Sequence, residues 1–568
     1  MKLAQERRFA EAAACAMEAA EEVERQQPVS MALYEHYASA GKFFHLAGQP
    51  HRGMQAFEKC MQVFEAVLGG QANVNFVLRH VGTWPELFAR ASLTALEAGQ
   101  PGRAVEFAEY GRSRVMGALS APVAAPPGAG AGEWHAYVRG WRRMAMHLAS
   151  LNLQHRTPGK QETEAARELT ELARRLAESG VPLAVLRPVS EGVQVQDAIG
   201  LLRRQPIQTT IAYAITMDDK LLRLVAIDAE GAREIELPPA EQGEILAAAN
   251  RFRMFEASKS NDLAGPIDEL LESAGGPLGD GLHQALDDQV GGRLIWVPHG
   301  ALVVVPIAAL PWDGGALIDR VAIQVAPSLA MALRALRNVD PNGSAAAAYV
   351  EGPWSEKARQ APTEGGETLL RGIGHIDLAQ VAPGTMQELA SALSGRRLVL
   401  FSCHGVFRWD EPASSHLQLG FDCGIDDLVG SGVFDPKSLA VLNTCDAGTV
   451  AQDATNEPVG LPIAMMAAGA ATVVGPSAPV EAIAAVAFSC LFLREVCRRS
   501  SPEAVQEAVK LMRTITKGEL GAMLDEAGHP FARYLKAGGL NDRFFKQIAD
   551  WAFFSHWGSA QTLPPGRG

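Results

Sequence analysis

Residues 398–405 have the sequence Leu398-Val399-Leu400-Phe401-Ser402-Cys403-His404-Gly405, and residues 439–448 have the sequence Leu439-Ala440-Val441-Leu442-Asn443-Thr444-Cys445-Asp446-Ala447-Gly448. Each segment begins with a short apolar run, which is typical of a parallel strand that is covered on both faces. The 41 residues from His404 to Cys445 leave room for one crossover connection. We therefore expect neighbouring strands whose carboxyl ends place His404 and Cys445 at one edge of a sheet.

A cysteine and a histidine at one sheet edge have the geometry that a catalytic dyad needs. The thiolate is the nucleophile, the imidazole moves the proton, and backbone N–H groups hold the oxyanion. Gly405 lets a substrate backbone approach closely. The alternative is that His404 is a hydrogen-bonded core histidine and Cys445 an inert buried thiol. Spacing alone leaves both interpretations open.

The sequence around these segments alternates between strand and helix patterns from about residue 205 onward. A hairpin is predicted for 207–216 and 221–228, which Met217-Asp218-Asp219-Lys220 joins. A capping box, Thr385-Met386-Gln387-Glu388, predicts a helix start. The pattern predicts a three-layer α/β domain with its site at the carboxyl ends of the strands. Its further strand candidates are 293–297, 321–325, 346–350, 398–403, 439–444 and 471–474.

The first 115 or so residues are rich in alanine and have helical patterns, with small residues seven apart. Three segments can be superposed, and each resembles the turn and second helix of a tetratricopeptide repeat, a module whose stacked helix pairs form a concave peptide-binding surface. Their spacings of 41 and 51 residues differ from the usual period of about 34. A plain helical bundle is the alternative. The segments are Arg8-Phe9-Ala10-Glu11-Ala12 with Ala19, Gly48-Gln49-Pro50-His51-Arg52-Gly53 with Cys60, and Gly99-Gln100-Pro101-Gly102-Arg103-Ala104 with Gly111.

A stretch without charge at 118–132 predicts a linker or exposed loop. Helices over about 133–156 and 160–179 follow, and we expect them to form a solvated helical arm. The cluster Arg139, Trp141, Arg142 and Arg143 has two interpretations, an RNA contact or a solvated helix face with one core tryptophan, and the second is favoured.

Composition excludes several classes of protein. The 568 residues are 48% hydrophobic and 20% charged, which predicts three to four folded domains rather than a disordered or fibrous chain. A formal charge of −13 argues against nucleic acid as a direct partner. Seven irregularly spaced cysteines predict free thiols in a reducing compartment. The N-terminal sequence reaches charged residues before any apolar core, so a cytoplasmic location without a signal peptide is expected.

The segment between Glu457 and Glu481 contains no charged residue and is long enough to be tested as a membrane span. Its prolines and glycines divide it into a short helix near 461–468 and a strand at 471–474. We therefore predict a buried helix and a central strand, and no contact with a membrane.

Several ordered motifs together resemble the CHAT domain, a family of caspase-like peptidases that are often joined to tetratricopeptide repeats. The motifs are Arg293 to Leu310, Ala326-Pro327-Ser328-Leu329, the His404-Gly405 and Cys445 tips, Gly460-Leu461 through Gly469 to Val474, and Trp551-Ala552-Phe553-Phe554. The resemblance implies an all-α tetratricopeptide-like domain at 1–117, a linker at 118–132, a helical arm at 133–200, a pseudo-caspase half at 201–345 and a catalytic half at 346–568.

Carried onto this sequence, the resemblance implies that Cys445 is the nucleophile and His404 the general base and acid. Gly405 and the Cys445 backbone amide match the oxyanion donors. Basic-residue-specific relatives often carry an acidic residue two positions before the cysteine; here that position is Asn443, so no preference for Arg or Lys is predicted. Asn443 and Asp446 are candidate pocket residues. The family's usual Ser-Ala before the cysteine is replaced here by Asn443-Thr444. Its usual Ser-Leu-Trp after the Val-Val strand is replaced by Gly475-Pro476-Ser477.

The implied function is a cysteine endopeptidase that cleaves a protein substrate and is switched on by a protein partner bound to the helical repeats, in bacterial defence or regulated cell death. The alternative is a catalytically inactive scaffold that acts as an adaptor. No cofactor is predicted, because the sequence has no phosphate loop or dinucleotide fingerprint. No metal is predicted either, because Cys403, His404, Cys423 and Cys445 contain no Cys-x-x-Cys pair.

Overall fold

The structure is a computed structural model, and it describes residues 2–70, 84–112, 126–153, 159–182, 193–217, 220–257, 263–286, 291–337, 346–353, 370, 377–452, 458–529, 531–535 and 539–563. Its helices are α1 (Lys2–Gln5), α2 (Phe9–Gln26), α3 (Met31–Leu46), α4 (Pro50–Gly70), α5 (Trp84–Glu97), α6 (Pro101–Tyr110), α7 (Ala131–Leu153), α8 (Lys160–Glu178), α9 (Val195–Leu202), α10 (Pro239–Ala257), α11 (Ala264–Leu286), α12 (Leu329–Arg337), α13 (Met386–Leu393), α14 (Ile425–Leu428), α15 (Leu461–Ala467), α16 (Ala482–Val496), α17 (Ser501–Thr514), α18 (Lys517–Glu526) and α19 (Ala532–Leu535).

Strands concentrate in the C-terminal two thirds of the chain. They are β1 (Thr209–Met217), β2 (Leu221–Ile227), β3 (Ala232–Ile235), β4 (Arg293–Val297), β5 (Pro311–Trp312), β6 (Gly315–Ala316), β7 (Ala322–Val325), β8 (Ala346–Glu351), β9 (Asp377–Val381), β10 (Leu398–Ser402), β11 (His404–Val406), β12 (His416–Gln418), β13 (Asp422–Gly424), β14 (Leu439–Asn443), β15 (Val450–Ala451), β16 (Val459–Gly460), β17 (Thr472–Pro476) and β18 (Phe554–Gly558).

One sheet organises the α/β part, with strand order β3-β2-β1-β4-β7-β18-β17-β14-β10-β8-β9. The predicted hairpin is present as the antiparallel pair β1 and β2, and each further strand candidate matches a strand to within two residues. The strand β18 is antiparallel to β17 and parallel to β7, so it joins the two halves into one continuous sheet. Sequence analysis did not single out β18 as a strand.

The sheet buries both of its faces, which confirms the predicted three-layer α/β architecture. Along β10, Val399 and Phe401 pack on one face with the N-terminal helices, whereas Leu398 and Leu400 pack on the other with α10, α11, α16 and α17. This alternation follows from the two-residue period of a strand. Thr385 caps α13 as predicted, because its side chain accepts a hydrogen bond from the Glu388 N–H.

The uncharged segment 458–480 contains α15 and β17, as predicted, and every residue of both elements is buried. Within the described ranges, none of the helices has the length and apolar character that crossing a membrane requires.

The N-terminal helices begin where the sequence predicts. Gly48 and Gly99 have φ of 68° and 69°, and the helices α4 and α6 start at the prolines that follow two residues later. Gly53 allows a close approach, because a Cβ there would lie 3.2 Å from the Gly41 carbonyl oxygen on α3. The assignment to tetratricopeptide repeats stays a prediction. Most of the predicted linker, 118–125, lies outside the described residues, and its last two residues, Ala131 and Gly132, are helical.

The N-terminal helices share a core with the sheet. Glu109, at the end of α6, accepts hydrogen bonds from the Tyr213 hydroxyl on β1 (2.8 Å) and from the first backbone N–H groups of α12, those of Leu329 and Ala330 (2.9 and 3.1 Å). The Arg112 guanidinium lies 4.3 Å from the centre of the Tyr213 ring and donates to the Ala214 carbonyl. Buried charged groups therefore join the helical part to the α/β part.

The prediction of a solvated face on α7 is wrong for Arg142. That side chain is 3% exposed and donates to the Ala467 carbonyl at the end of α15 (2.8 Å), where the helix dipole favours a cation. Burial and the nearby Arg334 lower the pKa of Arg142 to about 10. Trp141 is buried, as predicted, and the Arg143 Nε donates to the Asp426 carbonyl (3.2 Å). The arm thus packs against the half of the sheet that carries Cys445.

Candidate active site

The strands β10 and β14 are parallel neighbours, and Ser402 pairs with Asn443 in their register. His404 and Cys445 each follow two residues after this paired position, so both lie at the carboxyl edge of the sheet, as the apolar runs predict. The His404 side chain is exposed at the start of β11, which forms a small antiparallel sheet with β12 and β13. Cys445 is half-buried.

Gly405 brings the histidine and cysteine segments into contact. A Cβ at this position would lie 2.4 Å from the Cys445 carbonyl oxygen and 2.9 Å from the Ala447 Cβ. No side chain fits there, so glycine is required by the close packing of the two segments. The sequence predicts that this glycine makes room for substrate, whereas in the structure the chain's own Cys445 segment takes the space.

The Cys445 thiol is held in a protonated state. Its Sγ donates to the Val480 carbonyl oxygen at 3.2 Å. Burial, followed by the negative charge of Asp446, raises the pKa of this thiol above its ordinary value. A thiol must become a thiolate to act as a nucleophile, so this arrangement favours the less reactive, protonated form of Cys445.

Asp446 lies directly after the cysteine in a left-handed conformation, with φ of 58°. The Thr449 hydroxyl lies 2.5 Å from Asp446 Oδ1 and 2.9 Å from the Ser477 carbonyl oxygen, and it can donate to either. Burial raises the pKa of the Asp446 carboxyl to about 6, and the Thr449 hydrogen bond partly offsets that effect. The carboxyl therefore titrates close to neutral pH.

The end of β17 supports the loop that carries Cys445. The Gly448 N–H donates to the Pro476 carbonyl (2.7 Å), and a Cβ on Gly448 would lie 2.5 Å from the same oxygen. A Cβ on Gly475 would lie 2.7 Å from the Leu442 Cβ. Gly475 and Pro476 are two of the residues that depart from the family pattern. Both therefore lie against the segment that leads into or carries Cys445.

Asn443 is 4% exposed, and its Nδ2 donates to the Ser402 hydroxyl at 3.5 Å. This contact joins the ends of β14 and β10, two residues before Cys445 and His404 respectively. Its role in a substrate pocket stays a prediction.

Glu256, near the end of α10, is a buried carboxyl that sequence analysis did not single out. It is 6% exposed, and among the described residues neither of its carboxyl oxygens has a hydrogen-bond partner. Burial raises its pKa well above the ordinary value, and the charge of Asp446 raises it further. Nothing local in the sequence marks this residue, because its burial depends on how α10 packs in the tertiary structure.

The sequence favours His375 and His416 as loop residues rather than catalytic ones. His416 lies in β12, where its Nδ1 is 3.0 Å from the Ser414 carbonyl oxygen and its Nε2 is 3.7 Å from Asp422. The prediction of a loop is wrong for His416, since it is a strand residue paired with Val406. The segment 361–374 is rich in glycine, proline and threonine, a composition that suggests a loop that orders on activation; His375 and most of this segment lie outside the described residues. Within the part of the chain that the structure describes, no group of three or more His, Cys, Asp or Glu side chains is arranged to hold a metal ion.

The fold and the site together define a three-layer α/β protein with a histidine and a cysteine on adjacent strand tips. The family model of the CHAT domain matches residues 266–559, more than half of the chain. The chain belongs to the CHAT domain family.

Two solved structures of the Saccharomyces cerevisiae separase–securin complex are similar to the chain. One match has 10% sequence identity and a TM-score of 0.38, and it covers 98% of this chain and 49% of the matched chain. The other has 10% identity and a TM-score of 0.39, with coverage of 96% and 48%. This chain thus spans about half the length of the chains that it matches. No curated protein matches it.

Proposed function

We propose that the chain is a cysteine endopeptidase with a Cys445–His404 dyad. The observation that carries the proposal is the contact of Gly405 with the Cys445 carbonyl, because it places the residue after the histidine directly against the cysteine segment. Membership of the CHAT domain family supports this class of activity. Function still depends on the site rather than on the fold, so the chemistry requires its own test.

In the proposed reaction His404 accepts the proton of the Cys445 thiol, and the sulfur forms a bond to the carbonyl carbon of the scissile peptide. The backbone N–H groups of Gly405 and Cys445 stabilise the oxyanion. The tetrahedral intermediate collapses, the C–N bond breaks, and His404 transfers the proton to the leaving amine. A water molecule, deprotonated by His404, then hydrolyses the thioester and restores the thiol.

The substrate and regulator in this proposal are proteins, and the regulator binds the N-terminal helices. Two features support regulation: the thiol rests protonated against Val480, and buried polar contacts connect the helices to the sheet. By analogy with the family, the setting is bacterial defence or regulated cell death, with the product of a neighbouring gene as substrate.

Cleavage-site profiling of a proteome or peptide library tests the activity. We expect wild-type protein to cleave and Cys445→Ala to lose at least ~10³-fold in rate, since the nucleophile is removed. A thiol-directed probe should label Cys445 selectively, and this labelling should fall in His404→Ala. Cys490→Ala is the matched control, because Cys490 is buried in α16. Undiminished cleavage by Cys445→Ala, or slow labelling of all seven cysteines alike, would favour the inactive scaffold.

A further inference from the structure

A buried hydroxyl, that of Thr449, joins the turn after Cys445 to the segment that follows β17. Thr449 is 1% exposed, and its Oγ1 lies 2.5 Å from Asp446 Oδ1 and 2.9 Å from the Ser477 carbonyl oxygen. Both distances are those of hydrogen bonds between oxygen atoms. Ser477 is held from its other side, because its N–H and its hydroxyl both donate to the Phe553 carbonyl. Thr449 is therefore fixed between two acceptors.

Two hydrogen bonds at this hydroxyl require two hydrogen atoms. A threonine hydroxyl supplies one, a backbone carbonyl supplies none, and a carboxyl group supplies one only when it is protonated. With Asp446 protonated, its O–H donates to Thr449, and the Thr449 O–H donates to the Ser477 carbonyl. With Asp446 ionised, one hydrogen remains, and the charged carboxylate is the stronger acceptor. The Ser477 carbonyl then loses this donor.

Both ends of this chain of hydrogen bonds act on Cys445. Asp446 is the next residue, and its negative charge favours the protonated thiol. Ser477 lies three residues before Val480, whose carbonyl accepts from the Cys445 Sγ at 3.2 Å. A change in the proton on Asp446 therefore reaches the thiol in two ways, by charge and through the segment 477–480.

The other titratable or charged groups on the elements around Asp446 are Cys445, His404 at the start of β11, and Glu256 and Arg253 near the end of α10. Within the described ranges none of these four donates a hydrogen bond to the Asp446 carboxyl, and the Thr449 hydroxyl does. Thr449 is thus the group that responds directly to the charge of this carboxyl.

We propose that Thr449 is a positioning residue that couples the proton on Asp446 to the placement of the Cys445 thiol. The inference deepens the proposed function and rests on it. When Asp446 is protonated, the chain from Asp446 through Thr449 to Ser477 is complete, and the segment that accepts from the thiol is held. When half-buried Asp446 gives its proton to solvent, Thr449 donates to the carboxylate and releases Ser477.

The pH profile of iodoacetamide labelling at Cys445 tests the coupling and requires no catalysis. The logarithm of the labelling rate should show an inflection at about pH 6, where Asp446 ionises and the thiol becomes harder to ionise. Thr449→Val removes the donor to the ionised carboxyl, so its inflection should move to higher pH by about one unit. Thr449→Ser keeps the hydroxyl and should keep the wild-type inflection, whereas Asp446→Asn should have none.

Thr472→Val is the matched control, because Thr472 is also buried and its hydroxyl donates to the Ser559 carbonyl at the opposite end of β17. Its inflection should equal that of wild type. An absent inflection in wild type, an unmoved one in Thr449→Val, or an equal shift in Thr449→Ser would overturn the inference. So would an inflection that persists in Asp446→Asn, a test that remains if Thr449→Val does not fold. None of these outcomes decides whether Cys445 cleaves peptides, which cleavage-site profiling measures.

Hydrogen exchange tests the link to Ser477. Protection of the backbone amides of 477–480, corrected for the intrinsic pH dependence of exchange, should be about fivefold higher about one pH unit below the inflection than about one unit above it. The difference should disappear in Thr449→Val, which cannot make the contact at any pH. Equal protection at both pH values in wild type, or a difference that persists in Thr449→Val, would contradict the release of Ser477.

Discussion

At the scale of single residues, the candidate site combines the proposed nucleophile with a neighbour that opposes its ionisation. Asp446 contributes a negative charge beside the Cys445 thiol, and a negative neighbour favours the protonated form. Asn443, two positions before the cysteine, is buried and bonded to Ser402 instead. The acidic residue that immediately follows the cysteine is therefore Asp446, and the position two before the cysteine is an uncharged amide.

The Asp446→Asn variant should make Cys445 more reactive at neutral pH. The substitution keeps the shape of the side chain, and asparagine tolerates the left-handed backbone at φ of 58°. Because the negative charge is removed, the thiol pKa falls, and the midpoint of the pH profile for iodoacetamide labelling of Cys445 should move to lower pH. Site-resolved mass spectrometry measures it. Asp280→Asn, an exposed change on α11, should leave the midpoint unchanged, and a shift to higher pH in Asp446→Asn contradicts the argument.

At the scale of elements, the site depends on the close packing of β11 against the loop after β14. The apolar runs and their polar tips allow both strands to be predicted, because the two-residue period and the run length are local properties. The contact of Gly405 with the Cys445 carbonyl is not local, and the sequence alone suggested a different partner for that glycine. The burial of Arg142 is not a local property either. Arg142 on α7 is buried against α15, although the sequence of α7 is typical of a solvated face.

Gly405→Ala should reduce kcat/KM by about 100-fold or more while the protein stays folded. The new Cβ would lie 2.4 Å from the Cys445 carbonyl oxygen, so the two segments must separate, and a misplacement of about 1 Å is sufficient for a loss of that size. Steady-state kinetics and circular dichroism measure the two effects. Gly276→Ala on α11, where nothing lies within 4 Å of a Cβ, is the control and should keep full activity. Full activity in Gly405→Ala would show that the close packing is not needed.

At the scale of the whole molecule, the helical part and the α/β part form one structure. Tyr213 and Glu109 are both buried, and their hydrogen bond joins β1 to α6. Deleting the N-terminal helices would therefore expose core side chains and unsatisfied charges. Point substitutions in the contact are better tests of regulation than a truncation.

Tyr213→Phe should lower the free energy of unfolding by about 1–3 kcal/mol, because Glu109 loses a donor in a buried site. If the helices hold the peptidase in its resting state, the variant should also cleave faster in the absence of a partner. Denaturant unfolding and unstimulated cleavage rates measure the two effects. Tyr34→Phe, a buried change within the helical part that leaves this contact intact, is the control. An unstimulated rate equal to that of wild type would contradict regulation through this contact.

The sequence by itself determined most strands of the central sheet, the cap of α13, the family and the two strand ends that carry His404 and Cys445. Those features depend on periodicity, capping and local motifs, which a few neighbouring residues encode. Only the tertiary structure decided that Gly405 packs on Cys445, that Val480 accepts from the thiol and that Arg142 is buried against the end of α15. Each of these contacts joins residues far apart in the chain, and their partners are chosen by how the layers pack around one continuous sheet.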